Sequence, residues 1–475
     1  MKCQIVFGLV ILMTGLQGCA TVAVDPHAGF PQVAQLVNDR GAPELTWTPG
    51  VEESPPRLDA ISSRLAEGLT EEEAVRIALL NNRELQALYA RLGIAHADLV
   101  QASLLHNPVI GVTSGFPIAG GIVDLGFGLA MDLIDFLYTP LRKRVATARF
   151  EEAKLRVAAD VLDAVWRTQT AFYTHQANEQ ALEMRRQVAA ATAASFNLAQ
   201  RLREAGNLRE LDVATEQALA EEAKADLRFA EIATRDSRER LNLLMGLSGE
   251  HALLWTVTPA RLLDPREAAT NADLEARAMK QSLDLAAADQ LIVAAAENVR
   301  LDRASALFPE VVVGGKGERD GREWEPGPTF ILPLPLFDRG QARIARAQAE
   351  LRQARELRTA LAVRIAAIAR STRARLEGYR ERALQYRDVV LPVRQRVLEQ
   401  TQLQYNAMQI GPLDLLRAKE QQIEAGIRYI DALREYWLAQ ADHTLLLAGR
   451  LPPTEAAPAA PTLEQLPRLP FSTLQ

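Results

Sequence analysis

The chain has 475 residues, of which 48% are hydrophobic, 24% charged and only 5% aromatic, with a formal net charge of −6. Length alone suggests roughly three average domains, but the few aromatics and the abundant alanine point instead to extended helical packing, in which small side chains let helices approach closely. The mild acidity excludes an electrostatic case for nucleic acid, whose binding needs a basic surface, and the interspersed charges are those of solvated helix faces.

At the amino terminus, Lys2 followed by the apolar run 5–13 has the form of a secretory signal and is too short to span a membrane. The run ends in Leu16-Gln17-Gly18-Cys19, which resembles a bacterial lipoprotein cleavage box. On that resemblance residues 1–18 are a lipoprotein signal peptide, and Cys19 becomes the first residue and carries acyl chains such as palmitate. Each buried methylene of such chains contributes about 0.8 kcal/mol of anchoring. Ala20, where an aspartate would retain a lipoprotein, favours the outer membrane. Cys3 falls in the removed segment, so the mature chain forms no internal disulfide.

Residues 19–69, rich in Pro, Gly and polar residues, read as an extended arm. A helix opens at Thr70-Glu71-Glu72-Glu73, with a threonine cap and acids in the first turn, and runs to about 105, where Asn107-Pro108 stops it. The period then changes to two: over residues 122–132, Val123, Leu125, Phe127, Leu129 and Met131 fall on one face, and Asp124, Gly126, Gly128, Ala130 and Asp132 on the other. Such alternation is that of a membrane β-strand, apolar toward lipid and small or polar toward a lumen. Residues 107–116 are its weaker partner, joined through 117–121. A proline-free stretch, 142–205, follows as a helix of about 95 Å, with Leu155, Ala158, Leu162, Val165 and Phe172 as an apolar stripe. Gly206-Asn207 breaks it, and 208–245 returns.

After a linker at 251–273 the plan recurs. Residues 274–307 are helical and Phe308-Pro309 stops them; 311–316 and 330–336 are strand-like around a charged loop at 317–327. Asp338 caps a second long helix to about 408, bent locally by Pro392. Gly411-Pro412 breaks it and 413–447 returns, with Leu416, Ile423, Ile430 and Trp437 repeating every seven residues. A proline-rich tail, 451–475, closes the chain. Pro108 and Pro309, Glu151 and Glu350, and Leu211-Asp212 and Leu413-Asp414 recur about 200 residues apart, an internal repeat of 70–250 (strands near 107–135) in 274–450 (strands near 310–337). Four strands cannot close a membrane barrel, and open edges are not tolerated in lipid. Two copies would give eight strands with a filled interior, and three copies twelve with room for a passage.

Elements of catalysis are missing from the sequence. The six histidines form no metal-spaced cluster, and His96 and His106 read as surface or packed residues. Residues 311–317 lack phosphate-loop spacing, and 111–115 are not a nucleophile elbow. No enzyme, cofactor or metal is expected.

In this order, the strand-to-helix passage from Leu332 to Gly340 and the turn from Tyr405 to Asp414 resemble the outer-membrane efflux protein family, TolC-like and lipid-anchored, over roughly residues 70–450. The resemblance implies a mainly α fold with a small membrane β-barrel portion. It has two repeats of helix–strand–strand–long helix–return helix, assembled as a homotrimer with a twelve-stranded barrel continued by an α-helical barrel into the periplasm. It implies a passive duct in a tripartite export system, with a periplasmic adaptor and an inner-membrane pump as partners. Gly206, Asn207, Gly411 and Pro412 would be adaptor-contact tips, and Asp212, Tyr405 and Asp414 the periplasmic gate. Two family positions differ: a second ring aspartate is matched by Arg417, and an arginine by Ile410. The alternative is a lipid-anchored coiled-coil adaptor or scaffold without a barrel.

Overall fold

The computed structural model describes residues 24–47, 61, 63–65, 68–115, 124–267, 273–307, 310–320 and 323–453. The predicted signal, Cys19 and tail residues 454–475 lie outside them. In chain order the elements are α1 (Phe30–Asn38), α2 (Glu71–Asn81), α3 (Arg83–Ser103), β1 (Val109–Gly115), β2 (Asp124–Asp132), α4 (Asp135–Glu204) and α5 (Glu210–Met245). They continue with α6 (Leu274–Gln281), α7 (Leu283–Leu307), β3 (Val312–Asp320), β4 (Glu323–Ile331), α8 (Gln341–Gln385), a π-helical segment (Tyr386–Val390), α9 (Leu391–Asn406) and α10 (Pro412–Leu447).

The structure departs from the sequence expectation in six places. The arm holds a helix, α1, whose Val33 and Val37 are buried and whose Phe30 ring meets Tyr89 and Trp47. Its polar flanks masked that short apolar face. The helix expected from 70 to 105 is two, because Asn82 leaves helical geometry (φ −65°, ψ 117°) and its side chain caps α3 through Glu84 and Leu85 N–H. Likewise 274–307 divides at Ser282 (φ −61°, ψ 115°). Helix α4 starts at Asp135, upstream of Pro140. Asp338 does not cap α8: its carboxylate accepts the Gly340 N–H at 2.8 Å, and the helix opens after Gly340, whose φ is +71°.

The sixth departure is the hairpin. The charged stretch read as a loop is strand: Gly317 opposes Pro326, Glu318 opposes Glu325 and Arg319 opposes Trp324, whereas residues 332–336 are not strand. Charge marks a loop only where both faces of a strand would be covered, and one face of this sheet is polar.

The chain forms two compact units, one of residues 1–165, 242–256 and 283–364, the other of residues 166–241, 257–282 and 365–475. In the first, the sheet order is β1-β2-β3-β4, antiparallel throughout. Asn81 Nδ2 donates to the carbonyls of Met245 (3.0 Å) and Gly246 (2.7 Å), and Asn82 Nδ2 to Leu244 (2.9 Å). These bonds satisfy the carbonyls that end α5, and the turn closes on Gly246 at φ +67°. Buried Asp135 ties the sheet to the helices: it accepts the His106 backbone N–H (2.8 Å) and pairs with the His106 ring (3.0 Å) and with Arg142 (2.5 Å). Asp132 Oδ1 accepts the N–H of Ile134 (3.0 Å) and of Val311 (3.2 Å), joining the end of β2 to the approach to β3.

In the second unit the heptad residues Ile423, Ile430 and Trp437 are buried, while Thr444, next in register, is exposed. The segment 257–267 is strapped down by side chains. Trp437 Nε1 donates to the Leu263 carbonyl (2.9 Å), Tyr436 Oη accepts the Arg266 N–H (3.0 Å), and Arg380 donates to the Arg266 carbonyl (2.9 Å). Tyr429 and Arg387 both hold Asp264, at 2.7 and 3.3 Å. The disturbance expected at Pro392 takes the form of the π-helical segment directly before it, which accommodates a ring that an α-helical turn would clash with.

A methyl group on Gly246 would lie 2.7 Å from the Asn81 carbonyl oxygen, in a left-handed backbone. Gly246→Ala is expected to cost about 2–4 kcal/mol, from the left-handed penalty plus overpacking. Thermal unfolding followed by helical circular dichroism measures it, against the open Gly249 (no neighbour within 4 Å) as the control Gly249→Ala.

Candidate functional site

Two regions carry functional geometry: the sheet and the two helix turns. Facing residues in a register share a side of the sheet, so the pairings sort the strands. One face carries Ile110, Val112 and Ser114; Leu125, Phe127, Leu129 and Met131; Val313, Gly315, Gly317 and, near the hairpin end, Arg319; and Trp324, Pro326, Pro328 and Phe330. Ile110, Val112, Phe127, Leu129, Trp324 and Phe330 are exposed, and the Trp324 ring reaches over Gly317 to Phe127, with centroids 5.8 Å apart. The opposite face carries Gly111, Thr113, Gly126, Gly128, Ala130, Gly314, Gly327 and Thr329 with Lys316, Glu318, Glu323 and Glu325. Lys316 pairs with Glu318 at 3.1 Å. An exposed apolar face backed by a small and polar one is the division of a lipid-facing strand set around a lumen. β1 and β4 are free edges.

At the first turn, Gly206 adopts φ +77°, its N–H bonds the Arg203 carbonyl (2.9 Å), and the Asn207 N–H bonds the Leu202 carbonyl (2.8 Å). At the second turn the same closure is made by Met408 at φ +56°, with N–H bonds from Met408 to Tyr405 and from Gln409 to Gln404, both 2.9 Å. The long helix therefore ends at Asn406, before Gly411-Pro412; Gly411 is the cap of α10 and Pro412 its first residue. Sequence gave no hint of Met408, since a left-handed non-glycine residue costs about 1–2 kcal/mol.

The predicted gate residues are not brought together. Asp212 takes a two-pronged bond from its neighbour Arg209, at 3.0 and 3.2 Å, and the arginine holds its carboxyl below the usual range. Asp414 Oδ2 accepts the Gly411 N–H at 3.2 Å, a helix cap. Tyr405 is partly exposed, and among the described residues its hydroxyl meets no carboxylate. Arg417 is engaged elsewhere: its Nη2 lies 2.8 Å from buried Glu216, whose other oxygen accepts from Ser195 Oγ at 2.5 Å. That link joins α4, α5 and α10, and sequence reasoning missed Glu216, whose only signal was a carboxylate on the buried face of α5. Among the described residues no group of three or more His, Cys, Asp or Glu side chains is placed to hold a metal, and no described helix is long and apolar enough to cross a membrane.

The sequence signature of the family described as outer membrane efflux protein matches residues 74–247. The resemblance to that family holds. The fold is matched by solved membrane proteins. The outer membrane channel CmeC of Campylobacter jejuni superposes with a TM-score of 0.66 at 15% identity, over 87% of this chain and 92% of its own. The outer membrane protein VceC of Vibrio cholerae gives 0.64 at 16% identity, over 80% and 96%. A membrane protein from Pseudomonas aeruginosa gives 0.65 at 20% identity, over 86% and 99%. At these identities the likeness establishes the fold. No curated protein matches the chain.

Beside the Glu216–Arg417 link, Glu420 is raised above the ordinary carboxyl value, first by burial and then by the charges of Glu216 and Glu424. An acid raised in the native state favours folding when protonated, and that contribution fades as pH climbs from the ordinary value, about 4.3, through the raised one. Glu420→Gln is therefore expected to raise the unfolding temperature at pH 7–8. The gain should vanish well below about pH 4, where Glu420 is protonated in the folded and the unfolded chain alike; an equal effect at both pH values would refute the assignment.

Proposed function

We propose that this chain is one protomer of an outer-membrane efflux channel and that it is no enzyme. In this reading three copies close a twelve-stranded barrel, and their helices continue it into the periplasm as a second, helical barrel. The single observation that carries the reading is the sheet: four strands with an apolar exposed face, a small and polar opposite face, and two free edges. Lipid tolerates such edges only when another copy covers them, and eight strands would leave no passage where twelve would.

The two-repeat plan is supported by backbone geometry that returns after about 200 residues. Asn82 and Ser282 share one dihedral pair. Positive φ recurs at Gly206 and Met408, and again at Gly246 and Gly449. The duct is passive, anchored through acylated Cys19, opened at its periplasmic tips by an adaptor and powered by an inner-membrane pump. Gly206, Asn207, Gly411 and Pro412 are the adaptor contacts, and Asp212, Tyr405 and Asp414 the gate. Opening is a shift of population, in which the adaptor binds the open tips better than the closed ones.

The expected outcome for protein extracted in an outer-membrane detergent is an oligomer whose gel mobility changes on heating, and discrete conductance steps in planar bilayers. Tyr405→Phe combined with Asp212→Ala should raise the resting conductance; an unchanged value removes both from the gate. Release of Cys19→Ser protein as a soluble monomer, without conductance, would favour the scaffold over the channel.

A further inference from the structure

The free edge of β4 carries two prolines on alternate residues. In an antiparallel pair, residues directly opposite alternate between pairs that exchange hydrogen bonds and pairs whose N–H and C=O point away. Pro326 opposes Gly317 and Pro328 opposes Gly315, within a register unbroken from Val312–Ile331 to Asp320–Glu323. Proline has no N–H to give, so these two pairs are the non-bonded kind, and Lys316–Gly327 and Glu318–Glu325 are the bonded kind. The backbone nitrogens of Trp324, Pro326, Pro328 and Phe330 therefore point outward, and the middle two carry no hydrogen. All four outward carbonyls remain. The centre of this edge accepts hydrogen bonds but donates none.

That asymmetry discriminates between two ways of covering the edge. If β4 met β4 of another copy antiparallel about Gly327, acceptor-only stretches would face each other and the centre of the seam would hold no hydrogen bond. If β4 met β1 of another copy, the donors of Val109–Gly115, a strand without proline or charge, would reach the carbonyls of Pro326 and Pro328. The first pairing is two-fold and stops at two copies, whereas the second runs head to tail and can close a ring. Both prolines lie on the apolar face with Trp324 and Phe330.

We propose that Pro326 and Pro328 select the β1 edge of a second copy as the partner of β4, by leaving the competing β4–β4 seam about Gly327 without hydrogen bonds at its centre before the ring closes. The inference rests on the proposed closure of the sheet by further copies. It deepens that reading by assigning the choice of edge to two residues, a use of proline to blunt an edge strand.

The test is refolding of the full chain into detergent micelles, with Cys3→Ser and Cys19→Ser and with Gly327→Cys as reporter. Position 327 has open space for a side chain and would face itself only across a β4–β4 seam. With both prolines present, the heat-modifiable oligomer is expected with little disulfide-linked dimer. Pro326→Val with Pro328→Val should increase that dimer several-fold and lower the oligomer yield. The oligomer that still forms should dissociate about 2–4 °C higher, because its seam regains two donors. Each single substitution should give an intermediate result. Unchanged dimer and oligomer yields in the double variant would overturn the assignment while leaving ring closure standing. Failure of the two-proline protein itself to give any heat-modifiable oligomer would remove the ring closure, and the assignment with it.

Discussion

A backbone N–H or C=O in hydrocarbon has no water to turn to, and leaving it unpaired costs several kcal/mol. The exposed sheet of this chain is organised by that constraint. In the proposed reading its apolar face lies in lipid, and its four strands leave two edges whose groups no other described part of the chain covers. Further copies of the same edge pattern are the simplest cover. The polar features of the sheet follow: glycines, alanine and threonines crowd the face opposite the apolar one, Lys316, Glu318, Glu323 and Glu325 lie there too, and Arg319 is the charge on the apolar face, opposite Trp324. Gly126 sits under Thr113, and Gly314 lies so near the Leu129 carbonyl that a methyl group would meet it at 2.2 Å.

The same accounting of backbone groups explains the helical part. Long helices end in carbonyls without partners, and each end here has a specific solution. The end of α5 is satisfied by the amides of Asn81 and Asn82, and the ends of α4 and α9 by left-handed residues that fold the chain back on its last turn. The strap 257–267, which has no regular structure of its own, has its peptide groups bonded by Gln176, Trp437, Tyr436 and Arg380. Trp437 and Tyr436 also line the core, so packing and backbone satisfaction depend on the same side chains.

Much of this was legible in the sequence because it rests on periodicity. The alternation through Phe127, Leu129 and Met131, the heptad from Ile423 to Trp437 and the recurrence of landmarks after 200 residues follow from side-chain spacing alone. The hairpin β3–β4 was misread because composition and pattern disagreed there. Glu318, Glu323 and Glu325 suggested a solvated loop, yet each falls on the polar face of a continuous ladder. The helix breaks at Asn82 and Ser282 were hidden because the helical period carries on across them. Met408 and Glu216 were hidden for a different reason. A left-handed methionine and a buried carboxylate both run against local preference, and only their tertiary partners explain them.

The turns bear on how a duct of this kind could close. An acidic ring at the constriction would require carboxylates free to face one another across it. Here Asp212 is held by Arg209 and Asp414 by the first turn of its own helix, so both negative charges already have local compensation. The strongest charge contact near the turns is buried Glu216, held from two sides by Ser195 and Arg417. Arg417 stands where the family pattern has an acid, and it spends its charge inside the protomer. A buried carboxylate with two partners resists separation more than an exposed pair does, since breaking it strands a charge away from water. The helices around this turn are therefore fastened by a link between elements whose carboxylate is buried, and any movement of α10 against α5 has to break it.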